Sequence, residues 1–133
     1  MKTDFADSSL YVALLISRDR LHSKAKQLAQ SWTGFVVTTE YVLLEVANHV
    51  RSSKHRARFG ELLDYLRADP NTEVIPSEQR LWERGVGLYR RRPDKDWSLT
   101  DCISFVVMEE RGLIEALTAD HHFEQAGFSV LLR

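Results

Sequence analysis

The feature that most narrows the fold is an alternation. Short apolar runs recur along the chain, and the segments between them carry apolar residues at helical spacing. "TDFAD" (3–7), "FVVTT" (35–39), "TEVIP" (72–76), "IEALTAD" (114–120) and "FSVLL" (128–132) predict buried strands. "SSLYVALLI" (8–16), "RDRLHSKAKQLAQSW" (18–32) and "TTEYVLLEVANHV" (38–50) predict helices, with Ser8 or Ser9 capping the first and a Thr capping the third. "RSSKHRAR" (51–58) reads as a basic connector into a helix whose core face is Phe59, Leu62, Leu63 and Leu66. "SEQRLWERGVGLYRR" (77–91) predicts a helix capped by Ser77. "WSLTDCISFVVMEERG" (97–112) predicts one that is apolar on nearly every side and stopped by Gly112. A short helical turn at 121–126 precedes the last strand.

Strands alternating with helices predict an α/β domain, with a mainly parallel central sheet of about five strands flanked by helices. The 133 residues suit one domain over 1–133. In such sheets the site lies beyond the carboxyl ends of the strands, near the point where strand order reverses. Polar residues just after strands are therefore the ones to inspect.

Composition removes several classes. The net charge of -1 excludes a globally basic nucleic-acid binder, leaving only a local patch. The single cysteine, Cys102, permits no internal disulfide and sits in an apolar segment, where a small buried thiol is the ordinary role. No signal-peptide pattern and no run of membrane-spanning length are seen, so a soluble, cytoplasmic protein without a membrane partner is expected.

Carboxylates occupy the positions that matter. Asp7 follows the first strand and Asp120 the fourth. Asp101 lies in the first turn of the helix before the fourth strand, with Asp96 one turn earlier in its approach. Glu45 lies two turns into the helix after the second strand, among Tyr41, Val42, Leu44, Val46 and His49. A parallel sheet points all of these toward one edge. Taken singly, each has an ordinary use. Asp101 can form a capping box with Ser98, Asp120 and Asp7 can cap helices, and Glu45 can reach solvent or a basic partner. Glu45 has no capping use, and four coincidences on one edge are less economical than one site.

Carboxylates gathered in a cleft raise one another's pKa unless a cation compensates. These segments offer no lysine or arginine partner, so a divalent metal is expected. An all-oxygen donor set suits Mg²⁺ or Mn²⁺ better than Zn²⁺. Such a metal activates water and neutralises charge on a phosphate during in-line displacement.

"FADSS", the mid-helix glutamate of "TTEYVLLEVAN", "DKDWSLTDCISF" and "LTADHHF" resemble the four acidic motifs of the PIN domain. Their order and spacing are similar to those of the small VapC-type toxin ribonucleases, along the whole chain. The resemblance implies that Asp7, Glu45, Asp101 and Asp120 are catalytic and metal-binding, with Asp96 an additional acidic position. It implies that Ser8 and Thr118 are the small hydroxyl positions beside them. It also implies a Mg²⁺- or Mn²⁺-dependent endoribonuclease, the toxin of a type II toxin–antitoxin pair, with an RNA substrate, a small antitoxin partner and a homodimeric state. In that scheme Asp7, Asp101 and Asp120 hold the metal. Glu45 binds it directly or through water, or orients the attacking water.

Two basic runs, "RSSKHRAR" and "YRRRPDK", read either as phosphate contacts or as solvated helix ends. The first, with Arg51, Lys54, Arg56 and Arg58, extends the helix that carries Glu45 and is the better RNA-binding candidate. His121 and His122 read as surface residues, since neighbours in sequence do not easily face one site. Trp97 reads as core or as a base-stacking residue. Three other functions compete. A non-toxin PIN nuclease of RNA processing shares the same residues. A non-catalytic RNA- or protein-binding module would not need the full acidic set. An aspartyl-phosphate enzyme of the haloacid-dehalogenase kind needs two aspartates with one residue between them after the first strand, whereas two residues separate Asp4 from Asp7 and Asp4 falls within the strand.

Overall fold

Five parallel strands form one sheet in the order β3-β2-β1-β4-β5, in a computed structural model that describes residues 2–133, with Ser53 described by its backbone alone. The strands are β1 (Thr3–Ala6), β2 (Phe35–Thr39), β3 (Thr72–Ile75), β4 (Glu115–Leu117) and β5 (Ser129–Val130). The helices are α1 (Ser8–Leu15), α2 (His22–Ser31), α3 (Glu40–His49), α4 (Ser53–Ala68), α5 (Gln79–Arg91), α6 (Leu99–Arg111) and α7 (His121–Gln125). The α/β class, the parallel sheet and its five strands are as the sequence predicts.

β1 is the centre of the sheet. Phe5 pairs with Val37 of β2 on one side and with Ala116 of β4 on the other. That position explains why Phe5 and Ala6 are completely buried. The chain moves outward from β1 through β2 to β3, then returns to the opposite side of β1 for β4 and β5. The reversal falls between β1 and β4, and by the switch-point rule the cleft opens beyond Ala6 and Leu117.

α6 is the helix that matters most for the site. Its residues Asp101 to Met108 are all buried, because α5 and α3 both pack against it. This is the all-round apolar character its sequence carries. Its N-terminus is fixed by a capping box between Ser98 and Asp101, and its end by Gly112 at φ 66°, a left-handed position that glycine adopts without strain. An aromatic stack ties α6 and α7 to the central strand. Phe105 meets Phe123 edge-on at 4.9 Å, and Phe123 lies 6.3 Å from Phe5.

Several local expectations are corrected. Asp7, rather than Ser8 or Ser9, occupies the N-cap of α1, and Glu78 rather than Ser77 that of α5. The Ser77 N–H instead donates to Glu40 Oε1 at 2.6 Å. α2 starts at His22, not near Arg18, because Asp19 accepts the Leu21 N–H at 2.8 Å and holds a turn there. Most of the "RSSKHRAR" run is the beginning of α4, not a connector. Trp97 is core: it is 6% exposed, stands edge-on to Phe105 at 5.0 Å, and donates its indole N–H to Gln125 Oε1 at 3.0 Å. Stacking on a base is not open to it.

Candidate active site

Asp7 ends β1 and begins α1. Although it holds the N-cap position, its side chain caps nothing. Its Oδ2 instead accepts a hydrogen bond from Thr118 Oγ1 at 2.9 Å, across the gap between β1 and β4. Thr118 has one hydroxyl proton, and the carboxylate takes it. The Ser9 hydroxyl, 2.9 Å away, therefore donates to Thr118, and Ser9 in turn accepts the Ala119 N–H at 3.3 Å. The Asp120 N–H donates to Thr118 Oγ1 as well, at 3.1 Å. The ends of β1 and β4 are thus joined by a relay of hydroxyls whose every proton is assigned.

Glu45 reaches the same edge from α3. It neither points into bulk water nor meets a base: Ser8 Oγ donates to its Oε1. Asp101 combines both of its possible uses. Its Oδ2 accepts the Ser98 N–H at 3.1 Å, completing the capping box, and lies 3.1 Å from His122 Nδ1. Asp120 likewise caps α7 through Oδ1, which accepts the His122 N–H at 2.9 Å. That same Oδ1 lies 3.4 Å from His122 Nδ1. Each of the four carboxylates is therefore held through a single oxygen: Asp7 Oδ2, Glu45 Oε1, Asp101 Oδ2 and Asp120 Oδ1.

The electrostatics are those of a crowded anionic site. Burial pushes the Asp7 carboxyl up to about 7, and the Asp101 and Glu45 charges push the same way against the Thr118 hydrogen bond. Asp101 is also raised, by burial first and by the Asp120 charge, against the Ser98 amide and His122. No lysine or arginine forms an ion pair with Asp7, Glu45, Asp101 or Asp120 among the described residues. The ion-pair contacts of Asp101 and Asp120 among the described residues are with the two histidines of α7. A donor set of this kind fits a hard divalent cation, which would offset the repulsion that burial otherwise imposes. Asp120, His121 and His122 also bring one carboxylate oxygen and two ring nitrogens within 4.8 Å of one another.

The structure thus brings together Asp7, Glu45, Asp101 and Asp120, with Ser8 and Thr118 as hydroxyl tethers. Asp96 stands apart. It is exposed and lines a cleft with Arg90, Arg92, Lys95 and Trp97. Arg51, Arg56 and Arg58 are exposed, yet each donates to a main-chain carbonyl: Asn48 O at 2.8 Å, Arg51 O at 2.9 Å and Leu15 O at 2.7 Å. Lys54 is exposed.

His122 is the residue that sequence reasoning missed. Its side chain is 18% exposed and faces two carboxylates, while the His121 side chain is 65% exposed. The neighbours divide, one inward and one outward. A signal was present: a histidine two places after an N-cap aspartate shares that aspartate's turn. Because Nδ1 faces acceptor-only oxygens, the proton is assigned to Nδ1. Cys102 is buried, and burial lifts its thiol to about 11, which makes it an inert core thiol.

Comparison with known proteins agrees with this geometry. Residues 5–129 match the family described as PIN domain. The 23S rRNA-specific endonuclease VapC20 of Mycobacterium tuberculosis is 32% identical over 127 residues, which span 93% of this chain and 94% of that protein. The crystal structure of VapC20, described as a Sarcin-Ricin loop cleaving toxin, superposes with a TM-score of 0.84 at 27% identity, covering 96% of each chain. VapBC2 from Rickettsia felis, bound to a DNA fragment from its promoter, gives a TM-score of 0.66 at 13% identity over 98% of each chain, which is a likeness of fold. A parallel sheet with acidic residues gathered at its switch point, and a family match over nearly the whole length, lead to one assignment: this chain belongs to the PIN domain family.

Proposed function

We propose that the chain is a metal-dependent endoribonuclease, the toxin of a type II toxin–antitoxin pair, acting in the cytoplasm on a structured RNA. The observation that carries this is Asp7: a carboxylate 3% exposed, set against Glu45 and Asp101, with no lysine or arginine paired to it among the described residues. A buried cluster of that sign is costly unless a cation completes it. Asp7, Asp101 and Asp120 would hold Mg²⁺ or Mn²⁺, with Glu45 beside them, whereas Asp96, in the neighbouring cleft, would not reach the metal. When bound, the metal would supply water activation and charge neutralisation at the phosphate.

The chain's own residues do the rest. Thr118 orients Asp7 through Oδ2, and Ser8 orients Glu45 through Oε1. Glu45 is partly exposed, as Asp120 is, but it caps no helix and meets no histidine, so its second oxygen is the one to take a proton from the attacking water. His122, protonated at Nδ1, holds Asp101 and Asp120 in register. The likeness to VapC20 supports ribosomal RNA as the substrate class, and a loop of 23S rRNA as the first substrate to try. The likeness to toxin–antitoxin complexes supports a small antitoxin as partner, and a homodimer is the assembly we propose. Among the described residues no helix is long and apolar enough to cross a membrane.

The test is cleavage of 23S rRNA, and of a mixed structured RNA pool, by the purified chain in Mn²⁺, in Mg²⁺ and in EDTA, beside Asp7→Asn. Cleavage that needs metal and disappears in Asp7→Asn is expected. Cleavage of no RNA in either metal, or equal cleavage by the variant, would overturn the proposal.

A further inference from the structure

We infer that RNA is gripped next to the carboxylates by the cleft between the end of α5 and the start of α6, and not chiefly by the basic start of α4. The inference rests on the nuclease reading above and locates the substrate's phosphate-binding subsite. The cleft, about 340 Å³, is lined by Tyr89, Arg90, Arg92, Lys95, Asp96 and Trp97. Cys102, the residue after Asp101, is also part of its wall, so the cleft and the acidic site share the first turn of α6.

Its chemistry is that of a polynucleotide backbone site. Arg90 and Lys95, with Arg91 beside them, form no ion pair among the described residues, so their charge is available to a ligand. Arg92 is preorganised. Its guanidinium meets Asp94 through two bonds of 3.0 Å and lies 5.2 Å from the centroid of the buried Trp97 ring. Asp94 and Asp96 set against Arg90, Arg91, Arg92 and Lys95 leave a surplus of two positive charges, on a chain whose net charge is -1. Tyr89 is 51% exposed at the rim. An open aromatic ring among cations stacks a base while the cations take phosphates, without reading sequence.

The start of α4 differs. Arg58 donates to the Leu15 carbonyl at the end of α1, and Arg51 to the Asn48 carbonyl at the end of α3. These are orphan carbonyls at the negative ends of helix dipoles, and guanidinium groups there serve the fold. Positive charge in both segments is equally legible in the sequence, but only the α5–α6 cleft combines unpaired cations, an open ring and a wall that includes Cys102, the residue after Asp101.

The experiment uses the full chain carrying Asp7→Asn, in EDTA, so that binding is read without cleavage. The probe is a fluorescein-labelled single-stranded RNA of mixed sequence, followed by fluorescence anisotropy across a salt series. Arg90→Gln with Lys95→Gln is expected to weaken binding about tenfold at low salt. The pair should also flatten the log–log salt dependence by about 1.4 units, since on a single strand each phosphate left unneutralised takes away about 0.7. Tyr89→Ala is expected to weaken binding by about tenfold with the salt slope kept. Arg51→Gln with Arg56→Gln should cost less than the cleft pair. If the cleft variants bind as tightly as their parent, or the parent binds no RNA, the inference is overturned. Failure of the nuclease reading is distinguishable, because it shows as absent cleavage by the wild-type chain in Mn²⁺.

Discussion

His122 Nδ1 stands 3.1 Å from Asp101 Oδ2 and 3.4 Å from Asp120 Oδ1. One imidazole N–H thus spans the first turn of α6 and the cap of α7, and it sets the orientation of two carboxylates that otherwise repel. His122→Leu removes the donor, whereas His122→Asn keeps one near the Nδ1 position. Loss of an outer partner of a metal-binding group costs about 10–100-fold in affinity. The leucine variant is expected to bind Mn²⁺ at least tenfold more weakly by calorimetry and to lose kcat. The asparagine variant should recover most of both. Unchanged Mn²⁺ affinity in His122→Leu would refute the positioning role.

Asp7 makes the metal-free protein pH-sensitive. Its folded pKa, about 7, lies above the ordinary 3.8, so the folded chain holds a proton that the unfolded chain has already released. Stability therefore falls as pH rises from about 4 to about 7, and the full cost is present above that. A shift of this size corresponds to about 4 kcal/mol at most. Asp7→Asn keeps the shape and removes the charge. In EDTA at ~pH 8 the variant is expected to melt above wild type, with the difference shrinking toward ~pH 4. Added Mn²⁺ should raise the wild-type Tm and leave Asp7→Asn nearly unmoved. A variant less stable than wild type at high pH would contradict the assignment.

The elements were legible because they depend on neighbours in sequence: strand runs, helical spacing, the Ser98–Asp101 box and Gly112. The long-range hydrogen bonds that build the site were not. Thr118 and Asp7 are 111 residues apart, and Ser8 and Glu45 are 37 apart; only the order of strands brings them together. Asp7, Asp101 and Asp120 stood out because each sits just past a strand or early in a helix, where a parallel sheet gathers them, and mid-helix Glu45 because it has no capping use. His122 was misjudged because pattern gives no sign of which of two adjacent rings turns inward. Trp97 was left open because its partner, Gln125, lies on a helix of a single short turn. The basic runs could not be ranked, since what separates them is which guanidinium groups are already bonded to helix ends.

Gly85 shows how a helix-breaking residue can be required in a helix. α5 crosses α6 closely enough that a Cβ on Gly85 would lie 2.3 Å from Ile103 Cγ1. Glycine in a helix costs about 1 kcal/mol relative to alanine, but overpacking a core costs about 1–3 kcal/mol. The second effect wins, because Ile103 is itself almost completely buried and has nowhere to move. Gly85→Ala is expected to lower stability by about 1–2 kcal/mol in urea. It should also lower kcat, because Ile103 lies half a turn from Asp101. Gly87, whose nearest neighbour is the flexible end of Arg91 at 3.4 Å, provides the contrast: Gly87→Ala should be neutral or stabilising.

Thr118 tests the hydroxyl relay at its centre. Its Oγ1 gives its one proton to Asp7 and receives those of Ser9 and the Asp120 amide. Thr118→Val keeps the volume and deletes all three hydrogen bonds, leaving a buried carboxylate oxygen and a main-chain N–H without partners. A buried group left unpaired costs about 1–3 kcal/mol, more when charged. Because the Thr118 hydrogen bond holds the Asp7 pKa down, its loss raises that pKa further. The carboxylate then ionises only at higher pH, so metal binding, which needs the charged form, shifts the same way. Thr118→Val is expected to lose Mn²⁺ affinity near neutral pH and to regain part of it as pH rises. Thr118→Ser, which keeps the hydroxyl, should stay close to wild type in metal binding while losing some stability from the missing methyl. Calorimetric titration of both variants at two pH values separates the outcomes: equal loss at both would mean that Thr118 does not act through the Asp7 pKa.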